Sequence, residues 1–337
     1  MGLEAWLNRN WYDGARSSLF LLPLSWLYGA VVGIRAWLYR QGWLKSERPS
    51  CRVVVVGNIT VGGTGKTPLV IFLARALREL GFVPGVASRG YGSGSGDSPR
   101  AVGPESDPDE VGDEPVLIAR RTGVPVVVSR DRVSAARALQ DRGVDIVLCD
   151  DGLQHLRLGR DVEIAVVDGE RRFGNGLLLP AGPLREPVAR TGSVDLVVTN
   201  GGTAAAGELN MRLTGDVVQR LTDGASRSLD ELAGERWHAV AGIGNPERFF
   251  RRLEEAGLDI ERHAMADHAA LTPGALNFGD ESPVLMTEKD AVKCTGFARE
   301  NHWYLPVEAR FERAAEERLL AVVAAAPRQR RSDDVEA

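Results

Sequence analysis

A glycine-rich segment in the first quarter of the chain carries the residue types that hold nucleotide phosphates. Residues 60–67 read TVGGTGKT. Backbone N–H groups of such a loop can surround phosphate oxygens, while the lysine reaches the β- and γ-phosphates and the last hydroxyl ligates Mg²⁺. We therefore predict a nucleotide site formed by Thr60, Val61, Gly62, Gly63, Thr64, Gly65, Lys66 and Thr67.

The residues on either side of this segment predict the elements that position it. A β-branched run at residues 51–57 is typical of a buried parallel strand, and Pro68 suits the first turn of a helix, where its missing N–H costs nothing. The phosphate-loop pattern asks for glycine at its first position, where this chain has Thr60. The alternative is a glycine-rich turn that binds nothing, but the lysine, the hydroxyl and the helix start all fall in phase.

A pair of acidic residues follows a second buried-strand pattern. The run VDIVLC at residues 144–149 leads into Asp150 and Asp151. In phosphate-loop proteins an aspartate at the tip of such a strand holds the Mg²⁺ that the loop hydroxyl also ligates. The pair therefore predicts a magnesium site, and position alone leaves a solvated turn open as the alternative.

Three further loops contain glycine, proline and charged residues at predicted strand ends. They are residues 88–92 (SRGYG), 112–115 (GDEP) and 179–187 (LPAGPLREP). Each could equally be a plain turn. His268 follows Asp267, but neighbouring side chains point different ways, so this adjacency alone does not predict a catalytic pair.

Strand-like and helix-like runs alternate between residues 50 and 205. This order predicts an α/β fold with a doubly wound, mainly parallel sheet of the P-loop NTPase type, whose nucleotide binds at the carboxyl ends of the strands. We predict four segments: a membrane-associated helical segment (1–48), the P-loop domain (49–205), a second, smaller α/β domain (206–327) and a disordered tail (328–337).

The N-terminal segment contains 18 uncharged residues, 17–34, with tryptophan and tyrosine on both sides. As a helix this stretch would be about 27 Å long, slightly short of a hydrocarbon core of ~30 Å. If the stretch spans the membrane, the basic residues that follow it predict that the rest of the chain faces the cytoplasm. A membrane anchor that spans or lies flat, a buried or surface amphipathic helix and a signal peptide all remain open.

Charge and cysteine content argue against a nucleic-acid-binding protein, a disulfide-rich protein and a cysteine zinc site. The net charge of −5 gives no electrostatic footprint for nucleic acid, whereas residues 1–50 carry six basic and three acidic side chains and could be attracted to anionic lipid. The three cysteines have no disulfide-framework or zinc-site spacing, which fits a reducing cytosol.

Together these motifs resemble those of the tetraacyldisaccharide 4′-kinase family over nearly the whole chain. The matching segments are residues 56–68, 88–91, 112–115, 150–155 (DDGLQH), 179–187, 241–244 (AGIG), 267–268 and 287–290 (TEKD). The family also accepts threonine at the first loop position, which explains Thr60. The resemblance implies an ATP-dependent, Mg²⁺-requiring kinase that phosphorylates the 4′-hydroxyl of an acylated glucosamine disaccharide 1-phosphate, a late step of lipid A biosynthesis.

The resemblance also implies roles for individual residues. Asp113 would accept the proton of the attacking hydroxyl, His268 would orient Asp113, and Lys66 would complete the catalytic set. The Mg²⁺ would be held by Thr67 and Asp151, and with them Asp150 and Glu186. Arg89, Arg185 and His155 would contact substrate or nucleotide phosphate, for which a planar guanidinium is well suited.

The implied location is the cytoplasmic face of the inner membrane of a Gram-negative bacterium, with membrane lipids as partners and no protein partner evident. Two rivals remain. One is a membrane-associated P-loop ATPase switch of the partitioning type, which would carry a lysine where this chain has Val61. The other is a non-catalytic nucleotide-binding scaffold, which would need no base.

Overall fold

The computed structural model describes residues 3–12, 19–90, 98–267 and 269–325. The strands in this part of the chain are β1 (Arg52–Gly57), β2 (Pro84–Ser88), β3 (Arg100–Val102), β4 (Val126–Val128), β5 (Ile146–Asp150), β6 (Val162–Asp168), β7 (Leu196–Asn200), β8 (Leu209–Thr214), β9 (Val217–Arg220), β10 (Ser226–Ser228), β11 (Arg236–Ala241), β12 (Asp259–Ala264), β13 (Val284–Thr287), β14 (His302–Leu305) and β15 (Glu308–Phe311).

The helices in the same part of the chain vary from one turn to five. They are α1 (Leu3–Tyr12), α2 (Leu22–Arg40), α3 (Lys66–Glu79), α4 (Pro108–Val111), α5 (Asp113–Thr122), α6 (Arg132–Gln140), α7 (Pro246–Glu255), α8 (Glu288–Cys294) and α9 (Arg313–Ala325).

A nine-stranded sheet forms the larger unit, in the order β15-β8-β7-β6-β1-β5-β2-β4-β3. Pairing is parallel from β8 to β4, and only the two outermost pairs are antiparallel. The apolar run of β1 is buried on both faces, as expected of a central parallel strand. Its side chains alternate between a core shared with α3 and one shared with α6. The predicted fold class is confirmed.

A six-stranded sheet forms the smaller unit, in the order β10-β9-β14-β13-β11-β12. It uses residues 217–305, while β8 before it and β15 after it pair with each other in the larger sheet. α9 then packs on the core of the larger unit through Leu319 and Val323. The segment 206–327, predicted from the sequence as one smaller domain, therefore contributes to both sheets. The predicted tail, 328–337, lies outside the described residues.

Helix α2 lies along one side of the larger unit. The Ser25 hydroxyl donates to the Leu178 carbonyl at 2.9 Å, and Tyr28 Oη donates to the Arg185 carbonyl at 3.0 Å. Ten residues after Ser25, Arg35 Nη1 donates to the Gln154 carbonyl at 3.2 Å. Most of the remaining side chains of the helix are exposed, and Leu19–Arg40 is long and apolar enough to cross a membrane by length and composition.

Candidate active site

The predicted phosphate-binding segment is a turn between β1 and α3. α3 begins at Lys66, and Gly65 before it has a φ of 95°, in the left-handed region that favours glycine. The hydroxyl of Thr64 is buried and has no hydrogen-bond partner among the described residues. A helix N-terminus with an unpaired buried donor beside it is suited to bind an anion.

A cleft of about 470 Å³ lies between this loop and the smaller unit. One wall is formed by residues 62–68, and the opposite wall by residues 243–245 and the exposed side of α7. Ionisable side chains line the space between them: Lys66, Glu114, Asp151, Glu170, Arg185, Arg248, Arg251, Arg252, Glu255, Asp267, Glu288 and Lys289. The cleft therefore lies at the carboxyl ends of β1 and β5, where the sequence predicts the nucleotide.

The two walls touch at Gly244. A side-chain carbon at this position would overlap the backbone nitrogen of Gly63 and would lie 2.8 Å from the carbonyl carbon of Gly62. Next to it, Asn245 Nδ2 donates to Asp168 Oδ2 at 3.2 Å, across the units. The loop after β11 is thus packed directly on the phosphate-binding turn.

The two adjacent aspartates have opposite surroundings. Asp150 is buried, and this burial together with the Glu114 carboxylate raises its pKa to about 7. Burial also acts to raise the pKa of Asp151, but Lys66 at 3.5 Å and Arg185 at 3.0 Å outweigh it and lower that pKa to about 2. Asp150 Oδ1 has no hydrogen-bond partner among the described residues, whereas both oxygens of Asp151 accept from Arg185.

Asp113 is the first residue of α5 and is buried. Its Oδ1 accepts from the backbone N–H of Glu114 at 2.8 Å, and its Oδ2 lies 3.8 Å from Lys293 Nζ. Beside it, Lys289 Nζ lies 3.0 Å from both Glu114 Oε1 and Asp267 Oδ1. Both lysines belong to α8, so the smaller unit supplies the positive charge around the predicted base.

Helix α8 also fixes the loop that covers the phosphate-binding turn. Asp290 Oδ2 accepts from the backbone N–H of Gly242 at 2.8 Å, and its Oδ1 lies 2.8 Å from Lys293 Nζ. Burial acts to lower the pKa of Lys289, but the carboxylates of Glu114, Asp113 and Asp267 outweigh it and raise that pKa. One short helix therefore connects Asp113 with the loop at Gly244.

The structure brings some of the other predicted residues into the cleft. Arg185 lines it, and Thr67 lies in the first turn of α3 and lines it as well. Arg89 is exposed just after β2 and is not among the lining residues. His268 lies outside the described residues, but its neighbour Asp267 lines the cleft.

Glu186 and His155 are placed elsewhere. The Glu186 carboxylate accepts from Gln154 Nε2 at 2.6 Å and lies 3.3 Å from Arg190 Nε, and it does not line the cleft. His155 Nε2 lies 3.7 Å from Asp131 Oδ1. Burial and nearby arginines, chiefly Arg132, lower the pKa of His155 to about 4. Both residues belong to the segments against which α2 packs.

Several residues of the site carried no predicted role. Asp168 ends β6, is buried and lies 2.9 Å from Arg248 Nη2, and Asn200 ends β7 and donates to the Thr64 carbonyl at 3.0 Å. A polar residue that ends a buried parallel strand is the signal that could have found both. For Lys289 the available signal was the motif at residues 287–290, whose chemistry the sequence alone does not reveal, whereas Lys293 lies just beyond that motif.

Fold and site together define a P-loop phosphotransferase with a second unit covering its phosphate-binding turn. The chain belongs to the family described as LpxK, tetraacyldisaccharide-1-P 4′-kinase, whose pattern matches residues 17–324. This confirms the resemblance and the kinase class predicted from the sequence, and it does not favour the partitioning-type ATPase.

Named relatives and a solved structure agree with this assignment. The tetraacyldisaccharide 4′-kinase of Methylobacillus flagellatus is 50% identical over 319 residues, covering 94% of this chain and 95% of the relative. That of Nitrosococcus oceani is 52% identical over 301 residues, covering 89% of each. The crystal structure of LpxK from Aquifex aeolicus in complex with ATP has a TM-score of 0.74 and 28% identity, covering 92% of this chain and 99% of that one.

Proposed function

We propose that this chain transfers the γ-phosphate of ATP to the 4′-hydroxyl of a tetraacyldisaccharide 1-phosphate. The observation that carries the proposal is the position of Asp113. It lies next to Glu114 and Lys289, which line the same cleft as the phosphate-binding turn. A buried carboxylate beside a phosphate site is the group that a kinase needs to accept a hydroxyl proton.

The triphosphate would bind over residues 62–67. Their backbone N–H groups and the Lys66 ammonium would contact the phosphate oxygens, and the buried Thr64 hydroxyl, which has no partner in the described part of the chain, would donate to them. The loop at Gly244, which already touches Gly62 and Gly63, would cover the phosphates from the other side and exclude water.

The residues present fit a magnesium ion. Asp150 ends β5 on the same face as Leu148, toward α3 and therefore toward Thr67. Its Oδ1 is buried and has no hydrogen-bond partner among the described residues, and burial raises its pKa, so a bound cation would offset the cost of ionising this carboxylate. Asp150 and Thr67 would hold the ion, while Asp151 holds Lys66 and Arg185 in place. When bound, Mg²⁺ would neutralise charge on the phosphate oxygens.

The transfer step needs a base and a positioned acceptor. As the sugar oxygen attacks the γ-phosphorus, its proton passes to the Asp113 carboxylate. The bond between the γ-phosphorus and the bridging oxygen breaks, and ADP leaves with that oxygen on its β-phosphate. Lys293 and Lys289 hold Asp113 and Glu114 in place. We assign His268 as the residue that orients Asp113, because its neighbour Asp267 is bound to Lys289. Arg185, which lines the cleft, is assigned to substrate or nucleotide phosphate, whereas the roles of Arg89 and His155 stay predictions, because neither residue lines the cleft.

Helix α2 is proposed to bring the cleft to a lipid-borne substrate. The contacts of α2 at Ser25 and Arg35 are about 15 Å apart along the helix. One face of α2 therefore contacts the larger unit over about half the length of the helix. The exposed side chains of the helix include Leu24, Trp26, Leu27, Val31, Ile34 and Trp37. We propose that α2 lies in the membrane interface, on the cytoplasmic side of the inner membrane, as the Gram-negative origin of the relatives suggests.

A phosphotransfer assay tests this function. Detergent-solubilised protein is given ATP, Mg²⁺ and an acylated disaccharide 1-phosphate, and ATP consumption is compared with and without the acceptor. We expect acceptor-dependent consumption, and a loss of about 10²- to 10⁴-fold in Asp113→Asn with nucleotide binding retained. Consumption that ignores the acceptor would contradict the proposal, and full turnover in Asp113→Asn would remove the base assignment.

A further inference from the structure

A second cluster of ionisable side chains lies on the smaller sheet, outside the cleft. His238 is on β11, and Glu261 and His263 are on the neighbouring strand β12. In the parallel register His238 is level with Glu261 and Val240 is level with His263, so the three side chains share one face of the sheet. None of the three lines the cleft.

The ligand atoms of this cluster converge within the reach of one ion. His238 Nδ1 lies 3.0 Å from His263 Nε2, and each of these nitrogens lies 3.9 Å from an oxygen of Glu261. All three groups offer a ligand atom within 4.8 Å of one another. Zinc–nitrogen bonds of about 2.0–2.1 Å place two nitrogens of a tetrahedral site roughly 3.3 Å apart, close to the observed separation.

A further carboxylate orients the buried histidine. Asp280 Oδ1 lies 2.9 Å from His238 Nε2, and a proton on that nitrogen leaves the lone pair of Nδ1 directed at His263. A histidine whose second nitrogen donates to a carboxylate is the usual arrangement behind a zinc ligand. The ring of Phe278 packs against both imidazoles, with centroids 4.3 Å and 3.9 Å away, and restricts their rotation.

The cluster is also accessible to an ion from solvent. The His238 side chain is 3% exposed, that of His263 is 18% exposed and that of Glu261 is 48% exposed, so an ion can enter from the Glu261 side. Glu261 forms an exposed ion pair with Arg236 at 3.1 Å, which costs little to exchange for a metal bond.

We propose that His238, Glu261 and His263 form a binding site for a divalent transition-metal ion, for which Zn²⁺ is the best chemical match, with water as the fourth ligand. Two imidazoles and a carboxylate form a set that zinc accepts and that Mg²⁺ does not prefer. The bound ion would connect the edge strand β12 to β11. β11 leads into the loop at Gly244 and β12 leads to Asp267, so the site would stiffen the wall that covers the phosphate-binding turn.

Zinc titration of the full-length, tag-free protein in detergent tests the proposal. Excess Mg²⁺ is present throughout to occupy oxygen-rich sites. Isothermal titration calorimetry should show one equivalent of Zn²⁺ bound, and Co²⁺ in its place should give the absorption of a four-coordinate site. Binding should weaken about 100-fold in His263→Gln and in Glu261→Gln, and ~10-fold in Asp280→Asn. Glu247→Gln, an exposed carboxylate on α7, is the matched control and should bind as the wild type does.

The competing arrangement is a histidine pair joined by a hydrogen bond, with Phe278 stacked on it and no metal function. Absence of stoichiometric Zn²⁺ binding would establish that arrangement and overturn the proposal. Equal binding by wild type and Glu261→Gln would also overturn it, because the ion would then sit elsewhere. Glu261 is half-exposed, so its variant should fold even if His263→Gln does not, and the melting temperature without zinc checks this directly.

Discussion

The two walls of the cleft reach their positions in different ways. The wall in the larger unit consists of residues at or just after the ends of its central strands, such as Gly62 after β1, Asp151 after β5 and Asn200 at the end of β7. The wall in the smaller unit is held by contacts with the first, through Gly244 against Gly63 and Lys289 on Glu114. One wall is thus fixed by strand order and the other by docking. Turnover should therefore fall by a large factor when a residue of the first wall is replaced and by a smaller factor when a residue of the second wall is replaced.

The largest effect should come from the wall fixed by strand order. Lys66→Met removes the ammonium that begins α3 and contacts Asp151. We expect a loss of about 10²- to 10³-fold in turnover, because a charge directed at the transferring phosphate is lost. Steady-state kinetics with ATP and the lipid acceptor measures this, with Lys45→Met, an exposed lysine, as the matched control. Turnover within a few-fold of wild type would show that Lys66 is not at the transferring phosphate.

The same difference explains what could be predicted from the sequence. The strand, the glycine turn, Lys66 and the start of the helix lie within a few residues of one another, so local patterns identify them. Asp150 and Asp151 were recognised as a pair, but their opposite pKa shifts depend on Glu114, Lys66 and Arg185, which only the fold brings close. Sequence alone does not reveal such contacts.

The smaller unit shows most clearly what could not be predicted from the sequence alone. In chain order its strands run from β9 to β14. The strands that flank them, β8 and β15, pair with each other in the larger sheet, and no local pattern encodes this pairing across about 100 residues. Of the two lysines of α8, only Lys289 was part of a recognised motif, and the role of both became visible only through their distances to Glu114 and Asp113.

The docked wall is tested by adding one methyl group at the contact. In Gly244→Ala the new carbon would overlap the backbone of Gly63, so the loop must move away from the phosphate-binding turn. We expect the KM for ATP to rise about 10-fold or more, with a destabilisation of ~1–3 kcal/mol. Gly274→Ala in the same unit, where the nearest atom is 3.9 Å away, is the control. An unchanged KM in Gly244→Ala would mean that this contact does not shape the nucleotide site.

The link between the walls is tested at Lys289. In Lys289→Met the carboxylates of Glu114 and Asp267 lose their shared partner beside Asp113. We expect kcat to fall about 10-fold with little change in the KM for ATP, because the base is displaced while the phosphate site remains. The acidic limb of the pH–rate profile should move to higher pH in the Met variant and return in Lys289→Arg. A purely structural role would leave the profile in place.

A change in stability rather than in turnover separates the two neighbouring aspartates at the end of β5, Asp150 and Asp151. The pKa of Asp150 is raised to about 7 in the folded protein, from about 3.9 unfolded, so ionising it opposes folding. Stability should therefore fall as pH rises from about 4 to 7 and then level off. The pKa of Asp151 is lowered to about 2, so its contribution is constant above pH 4 and is lost only as pH falls further.

Thermal unfolding of the metal-free protein between pH 5 and 8 distinguishes these two behaviours. Asp150→Asn should gain stability relative to wild type as pH rises from 5 to 7, by roughly 2–3 kcal/mol, because wild type loses ~1.4 kcal/mol per pH unit until Asp150 ionises near pH 7. Asp151→Asn should be less stable than wild type by an amount that does not change over this range, because Lys66 and Arg185 lose their counter-charge. Mg²⁺ should stabilise wild type most at pH 8 and should stabilise Asp150→Asn little, because the ion replaces the proton that the buried carboxylate otherwise retains. A pH-independent difference for Asp150→Asn would show that Asp150 is ionised throughout and would transfer the metal role to Asp151.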